Sequence, residues 1–216
     1  VAAQEMTNTP YALAAALRDA HALIPEVREA LERVDRRMHS AVSLIPAPMV
    51  RPRYEAIPGS WWGITPERHW MPAENVLLAI VHHAGAAQDM DQSAEAIHHY
   101  HTTVKGWGAI GYHFWIRKSG LVQIGRPLWA VGAHAAKTDG TLNLNPVSWG
   151  ICLAGNFELG HPTDAQMFSL VATLKMLRSI APPGLAIHGH GDAMVTACPG
   201  KHLAAMMGWV RLAVAA

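Results

Sequence analysis

At 216 residues and 50% hydrophobic composition, the chain is long enough to bury a core in one domain with an appendage. Its formal net charge of +1, from 17 Lys and Arg against 16 Asp and Glu, leaves no electrostatic footprint for nucleic acid or an anionic membrane surface. The longest apolar stretches, around Val76 to Val81 and Leu203 to Ala216, are too short for a bilayer span, so no transmembrane helix is predicted.

Taken in chain order, Thr9-Pro10 reads as an N-cap followed by proline at the first helical position, with Leu13, Leu17, Ala20 and Ile24 at helical spacing behind it. Pro25 opens a second amphipathic stretch carrying Val27, Leu31, Val34 and Met38 on one face. This N-terminal helical segment spans residues 1–45, and packing against the main domain is its plainer reading, ahead of dimerisation or docking to a cell-wall or phage component. Pro46, Pro48, Pro52 and Pro58 then bias the chain to extended, irregular geometry, which predicts a linker over 46–60.

From Trp61 strands alternate with helices, and residues 61–216 form the main domain. Val76 to Val81 suits an interior strand covered on both faces. A helix is predicted from Asp89 to His101, then a hairpin in which Gly111 to Arg117 and Leu121 to Ile124 flank the turn Ser119-Gly120. Ser148 to Leu153 is a further strand. Thr163 and Gln166 make a capping box for a helix through Leu170, Leu174 and Leu177 that stops before Pro182-Pro183-Gly184. Leu185 to His188 is a short strand, and Pro199 to Val214 a closing helix. The architecture is α/β, a mixed central β-sheet flanked by helices, with an N-terminal helical extension.

Chemistry concentrates in two places. His190 precedes Cys198 by eight residues in a predicted loop, and the apolar run at Val76 ends in His82-His83. A thiolate with two imidazoles is a donor set that zinc selects. Three protein donors leave a position for water, whose pKa zinc lowers to roughly 7. Strand alternation turns only one of His82 and His83 toward such a site. With 14 His in the chain, a His near a Cys is a weak signal taken alone. His98, His99 and His101 read as surface and packing groups, His113 and His188 as satisfied polar groups near a sheet face, and Cys152 as a small core hydrophobe.

Several motifs in one order resemble a known family. They are Trp62-Gly63, Ile80-Val81-His82-His83, the block Gly106 to Phe114, Gly125-Arg126-Pro127, Val131 to Ala135, Gly150 to Phe157, Pro162 to Gln166 and the loop His190 to Gly200. Over roughly Trp61 to Trp209 the chain is similar to the zinc-dependent N-acetylmuramoyl-L-alanine amidases that share a fold with peptidoglycan recognition proteins and amidase-type phage lysozymes.

The resemblance implies Zn2+ held by His82, His190 and Cys198, with His83 turned into the core or onto a neighbouring backbone group. It places the family's active-site tyrosine on Tyr112. Thr196 stands where some phage enzymes carry Lys, so a hydroxyl dipole replaces a full charge at a position suited to oxyanion stabilisation. Gly191 departs from the arginine common after this His, and nothing in the sequence explains that change. His134 is a candidate substrate contact, weighed against a structural role, and Trp107 a candidate sugar-stacking platform, weighed against core packing.

The implied reaction is hydrolysis of the amide between N-acetylmuramic acid and the L-alanine of peptidoglycan. The competing expectations are a non-catalytic peptidoglycan-binding module and a structural zinc closed by His188 or Asp192. The start Val1-Ala2-Ala3-Gln4 shows no secretory signal, although trimming leaves secretion open. The added helical segment leans toward a phage endolysin rather than a bacterial autolysin or recycling enzyme.

Overall fold

The computed structural model describes residues 52–57, 66–137 and 139–215. The expected helical segment 1–45, the motif Trp62-Gly63 and most of the expected linker 46–60 lie outside the described residues. Within them, β1 (Tyr54–Ala56), β2 (Leu78–His83), β3 (Phe114–Ile116), β4 (Val122–Ile124), β5 (Ser148–Leu153) and β6 (Ala186–Gly189) form one sheet in the order β1-β4-β3-β5-β2-β6. The β3–β4 pair is antiparallel and every other pair is parallel, so the sheet is mixed as expected.

Among the described residues the α-helices are α1 (Pro66–His69), α2 (Ala94–Thr103), α3 (Asp164–Ile180), the single turn α4 (His190–Ala193) and α5 (Lys201–Ala215). None of the described helices is long and apolar enough to cross a membrane.

Several boundaries differ from the sequence reading by a few residues, and three of them have local reasons. A strand, β1, falls inside the expected linker, because Pro52 and Pro58 flank it and Tyr54 to Ala56 are left to pair along β4 at the sheet edge. β2 starts two residues later than its apolar run and continues through both histidines, whose backbones pair with Cys152 and Leu153. Helix α2 begins at Ala94 instead of Asp89. The Ser93 hydroxyl caps it by accepting from the Ala96 amide, while Asp89 and Asp91 hold the preceding loop extended through ion pairs to Lys118 (2.6 Å) and Arg117 (3.0 Å).

Strand alternation sorts the interior into two cores. Val81, Phe114, Ile116, Ile151 and Leu153 face α3 and α5, where Leu170, Leu174, Leu177, Leu203, Met207 and Val210 are buried against them. Each such leucine contributes about 1.5–3 kcal/mol relative to exposure. The intervening residues Trp115 and Cys152 face the other way, with Ile110, Ala94 and the edge of Tyr112.

The predicted capping box of α3 is present, and Gln166 does more than cap. Its carbonyl accepts from the Thr163 amide (3.1 Å), and its amide donates to the backbone carbonyls of Ile116 (3.2 Å) and Ala154 (2.8 Å), tying the helix start to β3 and the end of β5.

Candidate metal centre

His82 and His83 are adjacent on β2 and therefore point to opposite faces. His83 goes into the α3–α5 side, where its Nδ1 accepts from the Phe157 amide at 3.0 Å, as the sequence reading expected. Gly200 packs against the same imidazole at φ +87°, with room for no side chain: a Cβ there would lie 2.6 Å from the Phe157 carbonyl carbon.

His82 emerges on the other face, beside Cys152 and Tyr112. The single turn α4 starts with His190 immediately after β6, and the loop 194–200 returns Cys198 to the same place. One donor atom each from His82, His190 and Cys198 lie within 4.8 Å of one another. The Cys198 Sγ is 3.6 Å from His82 Nδ1, and the two imidazole centroids are 4.4 Å apart. Neither His188 nor Asp192 joins the cluster: Asp192 accepts from the Gly189 amide (2.9 Å) and pairs with Arg211 (3.1 Å), and no fourth His, Cys, Asp or Glu donor converges among the described residues.

The protonation states suit a soft divalent ion. Burial, reinforced by the neighbouring His134 and His190 rings, holds the His82 pKa well below the usual imidazole value, and burial lowers that of His190 as well, so both are neutral donors at pH 7. Burial pushes the Cys198 thiol up to about 12 in the metal-free protein, so ion binding must displace its proton. Two neutral imidazoles and one thiolate fit zinc with a coordination position to spare.

His134, weighed in the sequence between substrate contact and structural role, stands beside His82. Its Nδ1 is 3.0 Å from His82 Nε2, and its backbone amide donates to Asn145 Oδ1 at 2.9 Å. Its ring lies between two glycines. A Cβ on Gly132 would come within 2.4 Å of it and one on Gly150 within 2.6 Å.

His113, one step further back, donates from Nε2 to the Ala130 carbonyl (2.8 Å) and accepts at Nδ1 from the Gly150 amide (3.0 Å). It is the satisfied group the sequence reading expected. His188 is only partly so, because its buried Nδ1 has no partner.

On the open side, the Tyr112 ring centroid is 5.3 Å from that of His82. Burial, then the nearby Cys152 and Cys198 sulfurs, raise its phenol well above the ordinary value, so it is a neutral donor. Cys152 is fully buried in the core cluster against which this ring packs, the small core hydrophobe read from the sequence.

Thr196 is exposed, and its Oγ1 accepts from the Cys198 amide at 3.2 Å, which leaves the hydroxyl proton free to donate. Trp107 is 38% exposed and rests on His101 at a centroid distance of 4.6 Å. His98 and His101 on α2 accept from the Ile110 and Gly111 amides, fixing the segment that carries Tyr112; both are packing groups, as read from the sequence.

A mixed sheet with three convergent His and Cys donors at the ends of two parallel strands, beside a neutral phenol, is a scaffold with a candidate metal centre of the kind hydrolases use. The comparisons narrow the class: a model of the N-acetylmuramoyl-L-alanine amidase family matches residues 72–201, and the chain belongs to that family. It is 35% identical over 128 residues to the endolysin of Enterobacteria phage K11, covering 57% of this chain and 80% of that protein. It is 27% identical over 152 residues to peptidoglycan recognition protein 1 of Bos indicus, covering 67% of this chain and 77% of that protein. Among solved structures, the N-acetylmuramoyl-L-alanine amidase LysC from Clostridium intestinale superimposes with a TM-score of 0.58 at 29% identity, covering 75% of this chain and 98% of that one.

Proposed function

We infer that this chain hydrolyses the amide joining the lactyl group of N-acetylmuramic acid to the first L-alanine of peptidoglycan, the activity that gives its family its name. The observation that carries this reading is the convergence of His82, His190 and Cys198 with Tyr112 at their side. When bound, zinc supplies Lewis acidity, polarising a carbonyl and lowering the pKa of water.

The protein's own groups do the rest. His82, His190 and Cys198 hold the ion. The neutral Tyr112 phenol donates to the oxygen on which negative charge develops, and the Thr196 hydroxyl adds a second dipole from the loop. The exposed Trp107 face offers a stacking surface for a pyranose. His134 supports His82 and makes no substrate contact in this scheme.

Similarity to a phage endolysin favours action on a bacterial cell wall from within an infected cell. A second reading, recognition of peptidoglycan without cleavage, is favoured by the similarity to a peptidoglycan recognition protein. The complete donor set, including Cys198, argues for the enzyme.

Purified protein incubated with purified sacculi, with and without a chelator, tests both. New free L-alanine amino termini detected by mass spectrometry, abolished by chelation and restored by zinc, are expected. Sacculi that bind the protein and release no new termini would leave the binding module instead.

A further inference from the structure

Each imidazole of the centre has one nitrogen held by a neighbour. His82 turns Nδ1 toward Cys198 Sγ and places Nε2 against His134 Nδ1. His190 has its own neighbour: the thioether sulfur of Met194 lies 3.3 Å from His190 Nε2.

Met194 is placed there by the local backbone. It ends the single turn α4, its amide donating to the His190 carbonyl at 2.9 Å, and its own φ of −146° and ψ of 155° are extended. Alternation along extended backbone then sends Met194 and Val195 to opposite sides. Val195 is left fully in water at 101% exposure, while Met194 folds back on the imidazole.

A thioether can accept a hydrogen bond and has no proton to give. The contact is therefore favourable only when His190 carries its proton on Nε2, and that tautomer has its free lone pair on Nδ1.

We propose that Met194 is a positioning residue: its sulfur accepts the Nε2 proton of His190 and so presents Nδ1 to the metal. The proposal rests on the zinc-hydrolase reading above. It makes the two imidazoles equivalent, both Nδ1 donors with Nε2 engaged by an uncharged group of the protein. Outer partners that are carboxylates raise ligand basicity and drain charge from the ion. A histidine and a thioether would do so less, so a bound ion would keep more of its charge for polarising a carbonyl.

The test begins with the wild-type protein labelled with 15N. Long-range proton–nitrogen correlation spectra should show His190 protonated on Nε2 both after chelation and with zinc. Met194→Leu, which keeps the bulk and loses the acceptor, should give a mixture of tautomers in the metal-free protein. Its zinc affinity, read by competition with a chromophoric chelator, should fall roughly 10-fold, the low end of what outer partners contribute. Met194→Gln, with a carbonyl acceptor, should recover most of that loss.

His190 protonated on Nδ1 in the wild type, or Met194→Leu with unchanged tautomer and affinity, would overturn the assignment. So would X-ray absorption showing two sulfurs around zinc, because Met194 would then be a ligand. A wild-type chain that binds no zinc at all would overturn the hydrolase reading together with this proposal, whereas the other outcomes overturn this proposal alone.

Discussion

His134 Nδ1 lies 3.0 Å from His82 Nε2, so the side chain that holds the His82 ring comes from a loop 52 positions further along the chain. The ring reaches that point only because Gly132 and Gly150 leave it a slot between them.

Removing the outer partner by His134→Ala should weaken zinc binding by about 10–100-fold, the usual range for such groups. Gly150→Ala should act through the same contact, since its Cβ would sit 2.6 Å from the His134 ring and push it off His82. Chelator competition on both variants measures the effect. Two affinities equal to wild type would mean that the contact does not orient the ligand.

Tyr112 offers a cleaner separation of chemistry from structure. Its phenol is neutral and stands beside His82, and Phe fills the same volume. Tyr112→Phe should keep stoichiometric zinc and an unchanged melting temperature while kcat on sacculi falls on the order of 10²–10³, the cost of losing one donor to a developing oxyanion. Full activity in this variant would remove the phenol from the reaction.

Much of this was legible in the sequence because it depends on local pattern. The buried run ending in His82-His83, the Thr163–Gln166 cap and the punctuating Pro182-Pro183-Gly184 each act over a few residues, and the corresponding strand and helix follow them. The meeting of His82, His190 and Cys198 was legible through family resemblance, since nothing in their spacing alone joins residue 82 to residue 190.

Relationships requiring three-dimensional contact were not. Asp89 reads as a helix start until its ion pair with Lys118 is seen, and the sequence leaves His134 between substrate contact and structural role, with no sign of its approach to His82 in a slot between Gly132 and Gly150. Met194 carries no polar signal at all. Its role comes from the extended backbone that turns it inward and Val195 out.

His101 and His113 make stability depend on pH. Burial lowers both to about 4, and in each the Nδ1 accepts a backbone amide proton that a charged imidazole would repel. Unfolded, each titrates near 6.5. Between those values the unfolded chain binds more protons than the folded one, so stability rises with pH. Their contribution, on the order of 3 kcal/mol for His113 and less for the more solvated His101, is complete above about pH 6.5 and is lost as pH falls toward 4. Urea unfolding in the presence of chelator at pH 7.5, 6 and 5 should give steadily falling midpoints. Equal midpoints at all three would contradict the buried, neutral state assigned to these rings.

Cys198→Ser tests the remaining ligand through linkage. In the metal-free protein the thiol is neutral, its pKa pushed up to about 12, so a hydroxyl replaces it without exposing or burying a charge. Melting temperatures measured with chelator should therefore nearly coincide for the two proteins. Zinc is a different matter, because an ion that binds only the folded state adds RT ln(1 + [L]/Kd), about 2.7 kcal/mol at a hundredfold excess over Kd. The wild type should gain several degrees on adding zinc. The serine variant, lacking the soft donor, should gain almost nothing and release no L-alanine termini from sacculi. An equal zinc-induced rise in both proteins would remove Cys198 from the proposed ligand set, and with it the three-donor centre on which the proposed mechanism depends.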